Sequence, residues 1–342
     1  MTAVRGRRPR GVTLSLLVLL FAVLAARSDA AEQRTALGAA AGLGRGINIL
    51  GYDGIWQGAE NAPFRLENLT TIQKAGFRHV RINFFGFKYM DSENVLDEAV
   101  MSRLDAVIEE VLARKLIPIL DEHDTDFCQR NIPGCVEKLK SFWKQVAPRY
   151  AGKYPALVFE ILNEPGGGMT QADWNPLLNE CLRIVRITNP ERAVIAAALN
   201  TDDASIDDLV LPADDRNLIV TFHYYAPIQF THQGAPWSRK FSKIGPLDWG
   251  SAEDEAKVVA DFEKIRLWSE REKRPIYLGE FGVYERAPPA SRQRYLSFVA
   301  RSADRYGWAW AYWQFDHDFA AFDSARQTWK RDVLNALIPA GH

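Results

Sequence analysis

The chain has 342 residues, of which 47% are hydrophobic and 25% charged, and its formal charge is −1 at pH 7. These figures exclude a disordered or low-complexity chain and suit one α/β barrel of about 250 residues with embellishments. The near-neutral balance offers no electrostatic footprint for nucleic acid or an anionic membrane.

Residues 1–30 stand apart. A basic "RGRRPRG" precedes the apolar "VTLSLLVLLFAVLAA", and "SDA" then ends on a small residue, Ala30. The pattern reads as a cleaved signal peptide, since a spanning helix needs about 20 apolar residues. No cysteine follows the apolar run, which argues against a lipid anchor. Cleavage removes five arginines and one aspartate and moves the charge to −5. The mature chain, 31–342, is expected to be a secreted or periplasmic monomer with no membrane attachment.

Short β-rich runs follow, alternating with longer amphipathic ones. The expected strands are "GINIL" (46–50), "HVRINFF" (79–85), "IPILDEH" (117–123), "VFEILNE" (158–164), "AVIAAAL" (193–199), "LIVTFHYY" (218–225), "PIYLGEFG" (275–282) and "WAWAYWQF" (308–315). Several are nearly continuous apolar runs, as parallel strands covered on both faces require. Between them, apolar residues recur at three- and four-residue spacing, as in "LDEAVMSRLDAVIEEVLARK" (96–115) and "VEKLKSFWKQVAPRY" (136–150). "LENLTTIQKAG" ends at Gly76, a helix stop. Eight βα units without a linker or repeat predict a single (β/α)8 TIM barrel after the signal peptide.

Catalytic groups of this fold lie at the C-terminal ends of the strands. Six of the eight runs carry a polar or aromatic group there: Arg81, His123, Asn163 with Glu164, His223 with Tyr225, Glu280, and Trp313. Glu164 and Glu280 each follow an apolar strand, on strands four and seven, and so face each other across the barrel mouth. Such a pair suits glycoside hydrolysis, one carboxylic acid protonating the leaving oxygen while the other carboxylate attacks the anomeric carbon. Glu280, as an anion, is expected to raise the pKa of Glu164. Arg81 and Tyr225 are expected to keep Glu280 ionised. Asn163 is read as a donor to a sugar hydroxyl, Trp313 as a floor for the ring, and His123 and His223 as hydroxyl ligands or orienters of the carboxylates.

These residues carry a resemblance. "FEILNEP", "LGEFG", "FHYY" and "AYWQF" resemble glycoside hydrolase family 5, from Gly44 to about Leu337. The resemblance implies Glu164 as acid/base, Glu280 as nucleophile, net retention, and no cofactor or metal. It implies Arg81, His123, Asn163, His223, Tyr225 and Trp313 as the family's supporting set. "HYYAPIQFTHQGAPW" is similar to the loop after strand six of bacterial endoglucanases that cleave β-1,4-glucan and mannan, which implies Trp237 near the cleft, the alternative being an aromatic that anchors a long loop. A β-linked oligo- or polysaccharide, a β-glucan first, is the expected partner. Chitosan, mannan, β-1,3-glucan and glycosyl transfer to a sugar remain alternatives.

The chain departs from its relatives at Asn83, where many cellulases have proline, at "LGYDGIW", and at Asp124, where they often carry a second histidine or an aromatic. Asp124 lies in "DEHDTDFC" (121–128). Its four carboxylates, Asp121, Glu122, Asp124 and Asp126, read as an acidic lip that binds hydroxyls or a cationic sugar, or as solvated or structural charge. Cys128 and Cys135 flank "QRNIPG" and form a disulfide candidate in an oxidising compartment. Cys181 reads as a buried free thiol. A divalent-metal hydrolase using His123, Asp124 and His223 is the reading from another class, weakened by the absence of an H-x-H pair. A non-catalytic carbohydrate-binding barrel would have lost one of the two glutamates.

Overall fold

The computed structural model describes residues 1–2, 36–59 and 62–339. The expected signal segment lies outside the described residues, apart from its first two positions. Eight parallel strands close into one barrel in sequential order. They are β1 (Arg45–Ile49), β2 (His79–Phe84), β3 (Ile117–Glu122), β4 (Val158–Glu160), β5 (Val194–Ala197), β6 (Leu218–Tyr224), β7 (Ile276–Phe281) and β8 (Ala309–Tyr312). All eight expected strands are present. β4 stops at Glu160, four residues short of expectation, so Glu164 stands on irregular backbone with φ of 35°. That left-handed conformation costs a non-glycine residue roughly 1–3 kcal/mol, a strain typical of functional positions.

The outer helices form where the spacing predicts. α3 (Glu98–Ala113) buries Val100, Met101, Leu104, Val107, Ile108 and Val111 on one stripe. Asp97 caps it by accepting the N–H groups of Ala99 and Val100. Capping boxes start α6 (Gln171–Thr188), through Thr170 and Asp173, and α8 (Ala252–Glu272), through Ser251 and Asp254. Gly76 adopts φ of +100° one residue beyond the C-cap of α2 (Asn68–Lys74), as a helix stop requires. α5 (Ile132–Arg149) and α9 (Pro289–Arg305) complete the long helices, and the short α7 (Ile228–Thr231) follows β6.

Several elements escaped the periodicity. α1 (Ala36–Leu43) closes the N-terminal mouth of the barrel, with Ala36, Ala40 and Leu43 packed against Ile119, Ile195, Ile219 and Tyr277. Its "ALGAAAGL" has almost no polar face to reveal a period. α4 (Thr125–Arg130) follows β3 and carries Cys128. Cys128 and Cys135 are joined as expected, with Cα atoms 4.8 Å apart. Cys181 is free and buried, also as expected.

Among the described residues, no helix is long and apolar enough to cross a membrane.

Candidate active site

The upper half of the barrel is polar. Residues alternate along each strand, so His79, Arg81 and Asn83 of β2 share one face, as do Ile119, Asp121 and His123 along β3. Arg81 is fully buried and organises this layer. Its Nε and Nη2 hold both oxygens of Glu160, at 2.7 and 2.9 Å, a bidentate pair. Nη1 donates to Glu280 Oε1 at 2.7 Å and to Asn48 Oδ1 at 2.9 Å. Nη2 also reaches Asn163 Oδ1 at 2.8 Å and lies 3.1 Å from Asp121 Oδ2. One cation thus faces three carboxylates. The carboxylates in turn keep the guanidinium protonated despite its burial.

Glu280 is placed by "LGEFG". The β6–β7 register slips between Phe222 and His223, setting His223 opposite Glu280. Any side chain at position 279 would meet Thr221 Oγ1 at 2.6 Å and the His223 ring at 2.8 Å. At position 282 it would meet the Trp313 carbonyl at 2.4 Å. The two glycines flanking the glutamate are therefore steric requirements of the site. Glu280 Oε2 accepts the Tyr225 hydroxyl at 2.9 Å. Burial raises its pKa, while His223 and Arg81 act against the rise and Glu164 adds to it.

Glu164 meets His223, whose Nδ1 is 2.7 Å from Oε1. The same Nδ1 is 3.6 Å from Glu280 Oε2. Burial lowers the His223 and His123 pKa values to about 4, so both rings are neutral near pH 7. Burial also raises the pKa of Glu164. The cause differs from the expected one: desolvation dominates, and Glu280 is not among its leading causes. About a third of the Glu164 side chain remains open to the cleft, so water moderates this effect until a ligand displaces it.

A cleft of about 580 Å³ opens over these groups. Tyr52, Phe85, His123, Asp124, Asn163, Glu164, Tyr225, Trp237, Glu280 and Trp313 are among its lining. Trp313 stacks on His123 with ring centroids 5.5 Å apart and planes 4° apart. Trp237 is half exposed at the rim and meets Tyr284 edge-on at 4.8 Å. The structure thus gathers all the expected cleft residues except Arg81 and His223, which lie beneath the cleft and hold the two glutamates.

The acidic lip needs correction. Asp121 and Glu122 are fully buried and Asp124 nearly so. Asp121 bonds His123 and Arg81. Glu122 accepts the Asp124 backbone N–H at 3.2 Å, and Asp124 accepts the Phe87 N–H at 2.7 Å. Burial raises the Glu122 and Asp124 carboxyls. Only Asp126 is exposed, in a loose pair with Arg130 at 3.7 Å. Asp121 and Glu122 are therefore not part of a lip, whereas Asp124 and Asp126 do line the cleft.

The metal reading fails on placement as well. His123, Asp124 and His223 do not converge among the described residues. Among the described residues the one converging group is Glu164, His223 and Glu280, with ligand atoms within 4.8 Å of one another, and Arg81 already occupies Glu280 Oε1. Sequence reasoning missed Asn48 and Glu160. The signal was available: each is a polar residue inside an otherwise apolar strand run, "GINIL" and "VFEIL". Asn48 Nδ2 donates to the Gly279 carbonyl at 3.0 Å, and its Oδ1 accepts from Arg81 and Asn83.

Facing glutamates at the ends of strands four and seven of a closed parallel barrel define a glycoside hydrolase. Residues 43–318 match the family model "Cellulase (glycosyl hydrolase family 5)". Endoglucanase H of Acetivibrio thermocellus is 30% identical over 85% of this chain, which spans 31% of that longer protein. Endoglucanase Cel5A of Thermotoga maritima is 36% identical, with a TM-score of 0.83 over 89% of this chain and 100% of its own. The cellulose synthase subunit Z of Clostridioides difficile is 31% identical, with a TM-score of 0.81 over 86% of this chain and 99% of its own. The chain belongs to glycoside hydrolase family 5.

Proposed function

We propose that this enzyme cleaves β-1,4-linked glucan chains internally, with retention of configuration, using Glu280 as nucleophile and Glu164 as acid/base. The observation that carries the reading is the closeness of the two carboxylates. Their ligand oxygens, with a His223 nitrogen, fall within 4.8 Å of one another. Retaining enzymes hold the pair about 5–5.5 Å apart, whereas inverting ones leave room for a water at about 6.5–9.5 Å. In the first step a Glu280 oxygen bonds the anomeric carbon as the glycosidic C–O bond breaks, and Glu164 gives its proton to the leaving oxygen. In the second, Glu164 takes a proton from water, whose oxygen attacks the anomeric carbon and releases Glu280. Arg81 and Tyr225 hold Glu280 from behind, favouring the anion that attacks and later leaves. Trp313 and Trp237 offer apolar faces to pyranose rings. Asn163 has one amide hydrogen left for a sugar hydroxyl, because Nδ2 also donates to Thr125 Oγ1 at 2.9 Å.

Mannan is a second reading, supported by structures of Thermotoga maritima Cel5A with mannotriose as well as cellobiose. The test is product analysis of the purified enzyme on β-1,4-glucan, mannan and β-1,3-glucan. Rapid viscosity loss with few new reducing ends on β-1,4-glucan is the expected result. Activity confined to β-1,3-glucan would overturn the linkage. Export after cleavage at Ala30 completes the proposal, and N-terminal sequencing of the secreted protein checks it.

A further inference from the structure

Asp121 has no place in the two-step chemistry above, yet it lies at the centre of the polar layer with no exposure. Three donors converge on one of its oxygens. His123 Nδ1 is 2.5 Å from Oδ2, Arg81 Nη2 3.1 Å and Asn83 Nδ2 3.3 Å. Oδ1 has no partner. Arg81 can only donate. The two hydrogens of the Asn83 amide go to its nearer acceptors, Asn48 Oδ1 at 3.0 Å and Asp121 Oδ2 at 3.3 Å, rather than to His123 Nδ1 at 3.4 Å. Oδ2 must therefore accept, and the imidazole facing it at Nδ1 must carry its proton there. A proton on Asp121 itself would go to the free Oδ1, so Oδ2 stays an acceptor in either state. The other ring nitrogen, Nε2, has no protein partner among the described residues. The ring lines the cleft and is clamped between Trp313, stacked at 5.5 Å, and Phe85, edge-on at 5.1 Å. It can neither turn over nor tilt without breaking those contacts.

We propose that Asp121 is a positioning residue for this reaction: it fixes His123 in the Nδ1–H form, so that Nε2 presents a lone pair to a hydroxyl of the sugar bound beside Trp313. The inference rests on the cleft being the glycosidase site proposed above. Its consequence is a specificity. That subsite accepts a ring with a free hydroxyl donor, and it leaves Nε2 unpaired when the hydroxyl is methylated, acetylated or absent. Asn83, where relatives often have proline, supplies the second neutral donor that keeps Oδ2 pointing at the imidazole.

The direct test needs no substrate. Protein labelled with 15N-histidine is examined near pH 7, and the His123 signals are assigned by their loss in His123→Gln. Asp121 in this role predicts a protonated Nδ1 and an unprotonated Nε2. A proton on Nε2 overturns the proposal while leaving the roles of Glu164 and Glu280 untouched. A double-mutant cycle then tests function. Asp121→Asn retains a carbonyl oxygen at the Oδ2 position and should hold the same tautomer. Asp121→Ala and His123→Ala should each lower kcat/KM. Their combined loss should fall short of the product of the two by about tenfold, the size of one hydrogen bond. Independent losses would reduce Asp121 to a support for Arg81 and overturn the proposal. Should Asp121→Ala fail to fold, Asp121→Asn still decides the matter by its 15N signals. Retention of the Nδ1–H form supports the proposal, and a switch to Nε2–H contradicts it.

Discussion

Replacing Arg81 by methionine exposes how much of this site is one charge network. The substitution keeps the volume and removes every donor. It leaves Asp121, Glu160 and Glu280, all within 3.1 Å of the guanidinium, without a cation. Removing one partner of a buried ion pair costs about 3–5 kcal/mol, and here Glu160 loses both of its donors at once. A loss of about 3–5 kcal/mol at pH 8 is expected in urea denaturation. The pH dependence has a definite sign. Burial already raises Glu160, Glu280 and Asp121, the last to about 7, and Arg81 opposes each rise. Without Arg81 all three move further up. A carboxyl whose folded pKa exceeds its unfolded value binds more protons when folded, so it loses stability as pH rises. The deficit of Arg81→Met should therefore shrink between pH 8 and pH 5, and activity should be lost because Glu280 takes up a proton. A deficit below about 1 kcal/mol, or one equal at both pH values, would refute the reasoning.

Three further outcomes follow from the same geometry. Glu164→Gln should slow substrates with poor leaving groups by about 10²–10⁴-fold, and activated aryl glycosides far less; equal losses on both would remove the acid role. Cys128→Ala with Cys135→Ala opens a loop whose ends are 7 residues apart, and should cost about 2–3 kcal/mol in urea while leaving kcat unchanged. Trp237→Ala should raise KM about tenfold for long oligosaccharides with little change in kcat, as expected for a half-exposed rim aromatic that binds ground and transition states alike.

The barrel was legible because parallel strands covered on both faces leave unbroken apolar runs, and eight of them alternate with helical stripes. Glu164 and Glu280 were legible for a related reason: a carboxylate closing an apolar strand is costly to bury without a purpose. Burial itself was not legible. "DEHDTDFC" looks like a solvated acidic rim until β3 buries Asp121 and Glu122 on its opposite faces, where strand alternation aims Asp121 at Arg81. Local spacing cannot show that the partner for a carboxylate lies on another strand, forty residues away for Asp121 and seventy-nine for Glu160. α1 was invisible because a run of alanines has no polar stripe, and its reason to be helical is the open mouth it fills. β4 ends at Glu160, and Glu164 meets His223 from irregular backbone beyond it, which a run of strand-forming residues does not reveal.

The division of labour between the two glutamates has one most direct test. Glu280→Ala and Glu164→Ala are each given an activated β-glycoside and sodium azide, and the anomeric configuration of the glycosyl azide is read by NMR. With Glu280 as nucleophile, azide takes its place in Glu280→Ala and gives the α-azide. In Glu164→Ala, azide replaces the second-step water and gives the β-azide. A β-azide from Glu280→Ala, or turnover near that of the wild type without azide, would contradict the account.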